Sequence, residues 1–354
     1  MALFEVKKQK VPSNLLVDRF IVPPFSVFNT SQSYWQERKR NWISMGIKSE
    51  LGRGENLTFN IDRTDDKYGS NKGLTYNSGF DANLTFKNSY RNQVMAYTVG
   101  GGVCNPKTAE RYGRKAQQTS IFDPVLCEIA YKWFTRDGDT ILDPFAGGSV
   151  RGMIAGILGK KYFGIDLSEP QICANKQQYI DISAKYSGII EPTWIIGDSI
   201  NVKELVDNKK FNFIFSCPPY YNLEVYSTLE NDLSNKSTYD EFLCSYRGII
   251  KNCCDLLEYD SFAVFVVGNL RNNSDGGYYD LSGDTIRAFK DCGLIFYNEA
   301  IIVNVAGTLP VRTPIQFNAS RKLGKQHQNF LVFYKGNPKN IKEKFGSYEK
   351  EEKK

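Results

Sequence analysis

Thr140-Ile141-Leu142-Asp143-Pro144-Phe145-Ala146-Gly147-Gly148-Ser149 runs from a short apolar stretch through an acidic residue into a glycine-rich turn. The apolar stretch reads as a strand, and Ser149 to Leu158 reads as a helix. Strand, tight turn and helix in that order make the first half of a βαβ unit. Glycines in such a turn let the backbone approach a ligand without a Cβ in the way. Asp143, Pro144, Phe145, Ala146, Gly147, Gly148 and Ser149 are therefore candidate cofactor-binding residues.

The chain downstream repeats the theme. Lys161 to Ile165 is a second strand ending at Asp166-Leu167, about the spacing at which a dinucleotide fold places its ribose-reading acid. Trp194-Ile195-Ile196 leads to Gly197-Asp198-Ser199, and Phe211 to Phe215 leads to Ser216-Cys217-Pro218-Pro219-Tyr220-Tyr221. Parallel strands that each end in polar groups line them up along one carboxyl edge, where open α/β sheets bind ligands. In that arrangement Asp166 accepts from ribose hydroxyls and Asp198 from an adenine amino group. Each aspartate alone is equally well read as a helix N-cap.

In the loop after the fourth strand, Pro218 and Pro219 fix φ twice and remove two amide donors. Nearby carbonyls then have a rigid direction and can grip an exocyclic amino group, while Tyr220 can stack on the ring that carries it. A helix follows over about Tyr239 to Leu257, then a strand from Phe262 to Val267 and a helix from Gly283 to Cys292. Two late strands, Ile295 to Val303 and Asn329 to Tyr334, complete the pattern.

Asp-Pro-Phe-x-Gly-Gly followed about 70 residues later by x-Pro-Pro-Tyr resembles the amino-methyltransferases that modify adenine N6 or cytosine N4 in DNA. The resemblance covers roughly residues 120–336. It implies a class I S-adenosylmethionine-dependent methyltransferase fold, a Rossmann-like doubly wound, mostly parallel sheet with a late antiparallel strand. It further implies S-adenosyl-L-methionine as cofactor, DNA as partner, and a target base flipped into the pocket. Asp143 to Gly148 match the family's cofactor motif, Asp166 its ribose acid, Asp198 its adenine contact, and Cys217 to Tyr220 its catalytic tetrapeptide. Phe122-Asp123-Pro124 fits the segment that closes over the methionine end of the cofactor, and His327 to Phe333 the closing strand. The motif order is closest to the arrangement called gamma, and the whole chain is similar to DNA methylases of bacteriophages and mobile elements. The resemblance leaves open whether a restriction partner accompanies the enzyme.

One position departs from the family, whose tetrapeptide begins with Asp, Asn or Ser. Here that place holds Cys217, with Ser216 one step before. A thiol is a weak acceptor, so Ser216 or a backbone carbonyl supplies the acceptor instead. The other chemistry cysteine suggests is attack on a pyrimidine C6 followed by C5 methylation, which needs an activating base. An RNA or protein-amine methyltransferase on the same fold, or a methyltransferase-like protein that binds nucleic acid without catalysis, are the remaining readings.

Charge is uneven. Residues 1–118 hold 18 Lys/Arg against 10 Asp/Glu, a balance of +8 within a total of +6, so the remainder sums to −2. A basic N-terminal third suits a polyanionic partner. Tyr34-Trp35-Gln36-Glu37-Arg38-Lys39-Arg40-Asn41-Trp42 reads either as a base-stacking, phosphate-binding segment or as an amphipathic helix with Trp35 and Trp42 on one face. Trp35, Arg38, Lys39 and Arg40 are thus candidate DNA contacts, as are Arg312, Arg321 and Lys322 in a second basic stretch that reads as a loop. Residues 1–118 are expected to form an irregular recognition region, 119–336 the catalytic domain and 337–354 a charged, unstructured tail. The single histidine, His327, and eight scattered cysteines argue against a zinc site and against His-based hydrolysis. No apolar run reaches the roughly 18 residues of a membrane span, and the N-terminus lacks a signal-peptide core, so a cytoplasmic protein is expected.

Overall fold

A computed structural model of the protein describes residues 14–48, 122–221, 229–272, 274–307 and 309–348. Residues 52–102, within the irregular region expected of residues 1–118, lie outside the described residues.

The sequence of elements is α1 (Asn14–Phe20), β1 (Val27–Asn29), α2 (Ser33–Ser44), α3 (Pro124–Phe134), β2 (Thr140–Asp143), α4 (Val150–Ile157), β3 (Lys161–Asp166), α5 (Glu169–Ser183) and β4 (Thr193–Ile196). It continues with α6 (Val202–Leu205), β5 (Phe211–Ser216), α7 (Tyr239–Leu256), β6 (Leu257–Val267), the β7 (Leu270–Arg271) and β8 (Tyr278–Tyr279) hairpin, and α8 (Leu281–Asp291). Last come β9 (Ile295–Val303), α9 (Leu309–Ser320), β10 (His327–Lys335) and α10 (Ile341–Phe345).

Helix starts follow from local chemistry. Asp123 caps α3 by accepting from Val125 N at 2.9 Å, with Pro124 in the first turn, where its missing amide costs nothing. Thr238 caps α7 by accepting from Glu241 N at 3.2 Å, and the Glu241 carboxylate reaches back to Ser237 N at 3.1 Å.

One eight-stranded sheet organises the chain in the order β1-β9-β10-β6-β5-β2-β3-β4. β2 through β6 are mutually parallel, and β10 runs antiparallel between β6 and β9. Alternation along β6 separates the two faces: Phe262, Val264 and Val266 pack with α3 and α4, whereas Ala263, Phe265 and Val267 pack with α7 and α8. Both faces are covered, as a parallel sheet requires. The carboxyl edge therefore carries the ends of β2, β3, β4, β5, β6 and β9 together with the start of β10.

Three expectations are corrected here. Residues 14–48 do not stand apart from the catalytic domain: β1 pairs with β9 as an eighth strand, and Ile21, Val22, Phe28, Trp35 and Ile47 join the same core as α3. The tail begins later than its composition suggests, because Pro338–Asn340 and α10 fold back onto the sheet. Asn337 N and Asn340 Nδ2 donate to Asp260 at 3.1 and 3.0 Å, and Phe345 packs on Phe262. The basic stretch around Arg312 is a helix, α9, which carries Pro314 inside it and buries none of its residues.

Candidate active site

The turn after β2 is built on Asp143, whose carboxylate is fully buried. Oδ1 accepts from Ser216 Oγ at 2.5 Å and Phe145 N at 3.1 Å, and Oδ2 accepts from Arg151 Nε at 2.5 Å and Tyr162 Oη at 2.7 Å. Arg151 also donates to the carbonyls of Phe145 and Ala146, and its guanidinium lies 4.8 Å from the Phe122 ring centroid. Burial works against the Arg151 charge, but attraction from Asp143 outweighs it and raises its pKa. With four donors around it, Asp143 organises the turn; the residues left to meet a ligand are those the network holds in place.

Gly147 is the most exacting of these. Its φ of +49° is the left-handed region that glycine enters without penalty, and a Cβ there would meet nothing within 4 Å. Space thus lies in front of this backbone. Gly147 N donates to Asp166 Oδ2 at 2.8 Å, and its carbonyl accepts from Asn175 Nδ2, also at 2.8 Å. Ser149 donates to Gln178 Oε1 at 2.9 Å, an acceptor shared with Lys48 N, so the residues after α2 help brace the turn.

Asp166 sits one strand over and is partly exposed. Its Oδ1 accepts from Ser168 N at 2.8 Å, leaving each oxygen capacity for a further hydrogen bond. Burial raises its pKa above the ordinary carboxylate range, offset in part by the Ser168 and Gly147 amides. Leu167 beside it is half-buried. Asp198 ends the next strand, where both readings of the sequence meet: it caps the turn Ser199–Asn201 through Ile200 N at 3.0 Å while standing on the carboxyl edge. Its Oδ2 accepts from Asn231 Nδ2 at 3.0 Å. Ser199 is buried and donates to the Pro144 carbonyl, tying the strands together behind the turn.

The catalytic-loop candidates follow β5. Ser216 is buried and its hydroxyl donates to Asp143, tying the start of the loop to the turn after β2. Cys217 is half-buried, Pro218 buried, and Pro219 and Tyr220 half-exposed. Cys217 Sγ lies 3.9 Å from Tyr220 Oη, which accepts from Gln328 Nε2 at 2.8 Å. Tyr221 takes φ +38°, strained for a bulky side chain, and is held by burial against Tyr239, Phe242 and Tyr279. That anchor turns the loop so that Tyr220 faces the edge and Tyr221 the core.

The N-terminal candidates divide. Trp35 is completely buried, its Nε1 donating to Asp123 Oδ2 at 3.2 Å, so its ring is unavailable for stacking on bases. Arg38 holds Glu128 in a two-pronged ion pair at 2.6 and 2.7 Å, Trp42 donates to the same carboxylate at 2.8 Å, and Lys39 pairs with Asp123 at 3.1 Å. Of the four, Arg40 is exposed. Asp123 in turn is committed to Val125, Trp35 and Lys39, which makes it the positioner of α3, while Phe122 stands against Phe215 and Arg151 at the site. Arg151, Tyr162, Asn175 and Gln328 were not singled out by the sequence. Only Arg151, in the first turn of the helix after the glycines, had a position that marks it.

From β4 inward the order is β4-β3-β2-β5-β6-β10-β9, with one antiparallel strand second from the end, the glycine turn after the first strand of the pattern and an acid after the second. The fold is that of the class I S-adenosylmethionine-dependent methyltransferases. On the carboxyl edge over that turn, Gly147 leaves open space before its backbone and Asp166 keeps acceptor capacity on both carboxylate oxygens.

No family model matches the sequence. Over 86 residues it is 35% identical to the tRNA (guanine(10)-N2)-dimethyltransferase of Pyrococcus abyssi, a match spanning 24% of this chain and 25% of that protein. Among solved structures, TrmN from Thermus thermophilus is similar with a TM-score of 0.40 and 14% identity over 60% of this chain and 49% of that one. Magnesium protoporphyrin IX methyltransferase from Synechocystis PCC 6803 with bound SAM gives a TM-score of 0.39 and 12% identity, over 70% of this chain and 92% of that one. No helix among the described residues is long and apolar enough to cross a membrane.

Proposed function

We propose that this protein transfers a methyl group from S-adenosylmethionine to an exocyclic amino group of a nucleic-acid base, adenine N6 or cytosine N4 in DNA. The observation that carries this reading is the placement of Cys217-Pro218-Pro219-Tyr220 directly beside the Asp143–Gly148 turn, joined to it by the Ser216–Asp143 bond.

The bound cofactor supplies an electrophilic methyl group on its sulfonium. The protein's own residues do the positioning. Asp166 accepts from the ribose hydroxyls, and the Gly147 backbone lets the cofactor approach. Positions 218 and 219 carry no amide hydrogen, so the loop offers carbonyl acceptors to the amine without competing donors. Tyr220 offers its ring face to the flipped base, with the Gln328 bond limiting its rotation. The loop would hold the amine with its lone pair toward the methyl group that the bound cofactor would supply, and the partly exposed Pro219 and Tyr220 leave solvent water to take up the amine proton. Positioning and exclusion of water supply most of the acceleration. C5 methylation through Cys217 is the weaker reading, because the tyrosine hydroxyl 3.9 Å from its sulfur is a poor base, although the Arg151 charge also acts on that sulfur.

RNA is the second reading, favoured by the similarity to the Pyrococcus abyssi enzyme, whose name specifies a guanine amino nitrogen in tRNA. Incubation with unmodified DNA and, separately, total RNA and labelled cofactor, followed by digestion to nucleosides and mass spectrometry, tests both. An N-methylated adenine or cytosine from DNA is the expected product, and N2-methylguanine from RNA selects the second reading. A C5-methylated pyrimidine, or no methylated nucleoside, overturns amino methylation.

A further inference from the structure

The segment joining β9 to β10 has an unusual balance. No Asp or Glu occurs between Glu299 and Glu343, while Arg312, Arg321, Lys322 and Lys325 fall within the connection. Among the described residues none of these four pairs with a carboxylate, in contrast to Arg38 and Lys39 on α2, whose charges are taken up by Glu128 and Asp123. The apolar residues of the segment are exposed as well: Ile315 is 51% and Leu323 70% accessible, and Phe317 lies under the Arg321 guanidinium at 5.2 Å.

Placement completes the picture. The segment leaves and re-enters the sheet at the carboxyl edge, its neck closed by Asn304 N to Gln326 O at 2.8 Å and Gln326 Nε2 to Asn304 O at 2.9 Å. Two residues beyond that neck, Gln328 holds Tyr220. The Lys325 ammonium lies against Gly268 at the end of β6, and Lys322 against Gly276 in the β7–β8 hairpin.

We infer that the β9–β10 segment is the docking surface for the nucleic-acid strand carrying the target base, with Arg312, Arg321 and Lys322 on its phosphates. The inference rests on the proposed function for its choice of partner. Charge complementarity selects a polyanion, and the interleaved Phe317 and Leu323 suit unstacked bases better than a carboxylate-bearing protein surface does. Among the described residues its cations meet no carboxylate, as suits a surface for a polyanion from outside the chain, and the strand that delivers the base to the catalytic loop would run on across it.

The test uses the full-length triple variant Arg312→Gln/Arg321→Gln/Lys322→Gln beside an Arg312→Lys/Arg321→Lys control. Binding of fluorescein-labelled single-stranded DNA and RNA oligonucleotides is followed by anisotropy across a salt series, and S-adenosylmethionine binding by calorimetry. The triple variant should bind oligonucleotides at least about tenfold more weakly, with the slope of log affinity against log salt shallower by about two. The lysine control should retain most of the affinity, and cofactor affinity should be unchanged. Unchanged oligonucleotide affinity and slope in the triple variant, or a wild-type protein that prefers polyglutamate to oligonucleotides, overturns the inference. Methyl transfer to nucleic acid by a triple variant with undiminished binding would sink the docking surface alone; variant-sensitive binding without any transfer would sink the proposed reaction alone.

Discussion

Asp143→Asn is the substitution that most directly probes how the cofactor turn is held. The side chain is buried and accepts four hydrogen bonds, one from a guanidinium that is itself buried. Asparagine keeps the shape and removes the charge. Its amide nitrogen is best accommodated at the Oδ1 position, where the Ser216 hydroxyl can reverse and accept, leaving Phe145 N without a partner. Arg151 then faces a neutral oxygen. Stranding one member of a buried ion pair costs about 3–5 kcal/mol, and the retained hydrogen bond places this variant near about 3 kcal/mol. Tyr162→Phe removes one bond to a carboxylate that keeps three others, for about 1.5–2 kcal/mol. In the asparagine background the same tyrosine donates to a neutral oxygen worth about 1 kcal/mol, so the double variant should fall short of additivity by up to about 1 kcal/mol. Urea unfolding followed by the fluorescence of the four tryptophans reads these costs, with slopes compared to check that the transition stays two-state. A cost below about 1 kcal/mol for Asp143→Asn, or additivity within about 0.3 kcal/mol, refutes the view of Asp143 as the charged hub of the turn.

Three further outcomes are expected. S-adenosylmethionine affinity should decline on acidification from a higher pH than the usual carboxylate value of about 4, because Asp166 has a raised pKa and, in the role proposed for it, would accept ribose hydroxyls best when ionised. For the free protein the sign is opposite: a raised native pKa contributes stability below the unfolded value and loses it as pH rises through the native one. Calorimetric titrations against pH should therefore show a dependence that Asp166→Asn flattens while weakening binding. Cys217→Ser should retain methyl transfer, since serine is a better acceptor at that position; complete loss, with cofactor binding intact, would assign the sulfur a covalent role. Gln328→Ala should lower kcat by about tenfold through the freed Tyr220 ring with little change in cofactor affinity, and an unchanged kcat removes Gln328 from the positioning of that ring.

The strands and the glycine turn of the carboxyl edge were readable in the sequence, because their signals are local: a strand, glycines, and an acid closing each neighbouring strand. Spacing along the chain and position along the sheet edge are there the same information. Trp35 was open to two readings because an interleaved aromatic and basic stretch has the same composition whether it meets bases or carboxylates. What decided it were Asp123, 88 residues from Trp35, and Glu128, 90 residues from Arg38, and nothing local announces such partners. The ordered part of the tail was missed for the same reason, since its anchor Asp260 is 77 residues from Asn337. Helix α9 was missed because Pro314 lies inside it and no buried face imposes a period on its sequence.

The two halves of the site are therefore built to different standards, and the difference is physical. The turn after β2 is fixed by a buried ion pair, a positive-φ glycine and bonds from its two neighbouring strands β3 and β5, from the turn after β4 and from the helices α4 and α5. Any substitution in that network has to be accommodated against the core. The loop after β5 is anchored at its ends by Ser216 on Asp143 and by the strained Tyr221 in its aromatic cage, with Pro218 buried between them. Between those anchors Cys217 and Tyr220 stay partly exposed, held across the edge by Gln328. A departure from the common tetrapeptide is easiest to tolerate there, because the acceptors that matter are backbone carbonyls whose direction Pro218 and Pro219 set. On this reasoning the identity of residue 217 tunes the reaction, whereas the two prolines define it: Pro219→Ala should cost more activity than Cys217→Ser in the same transfer assay, and the reverse order would return the sulfur to the centre of the mechanism.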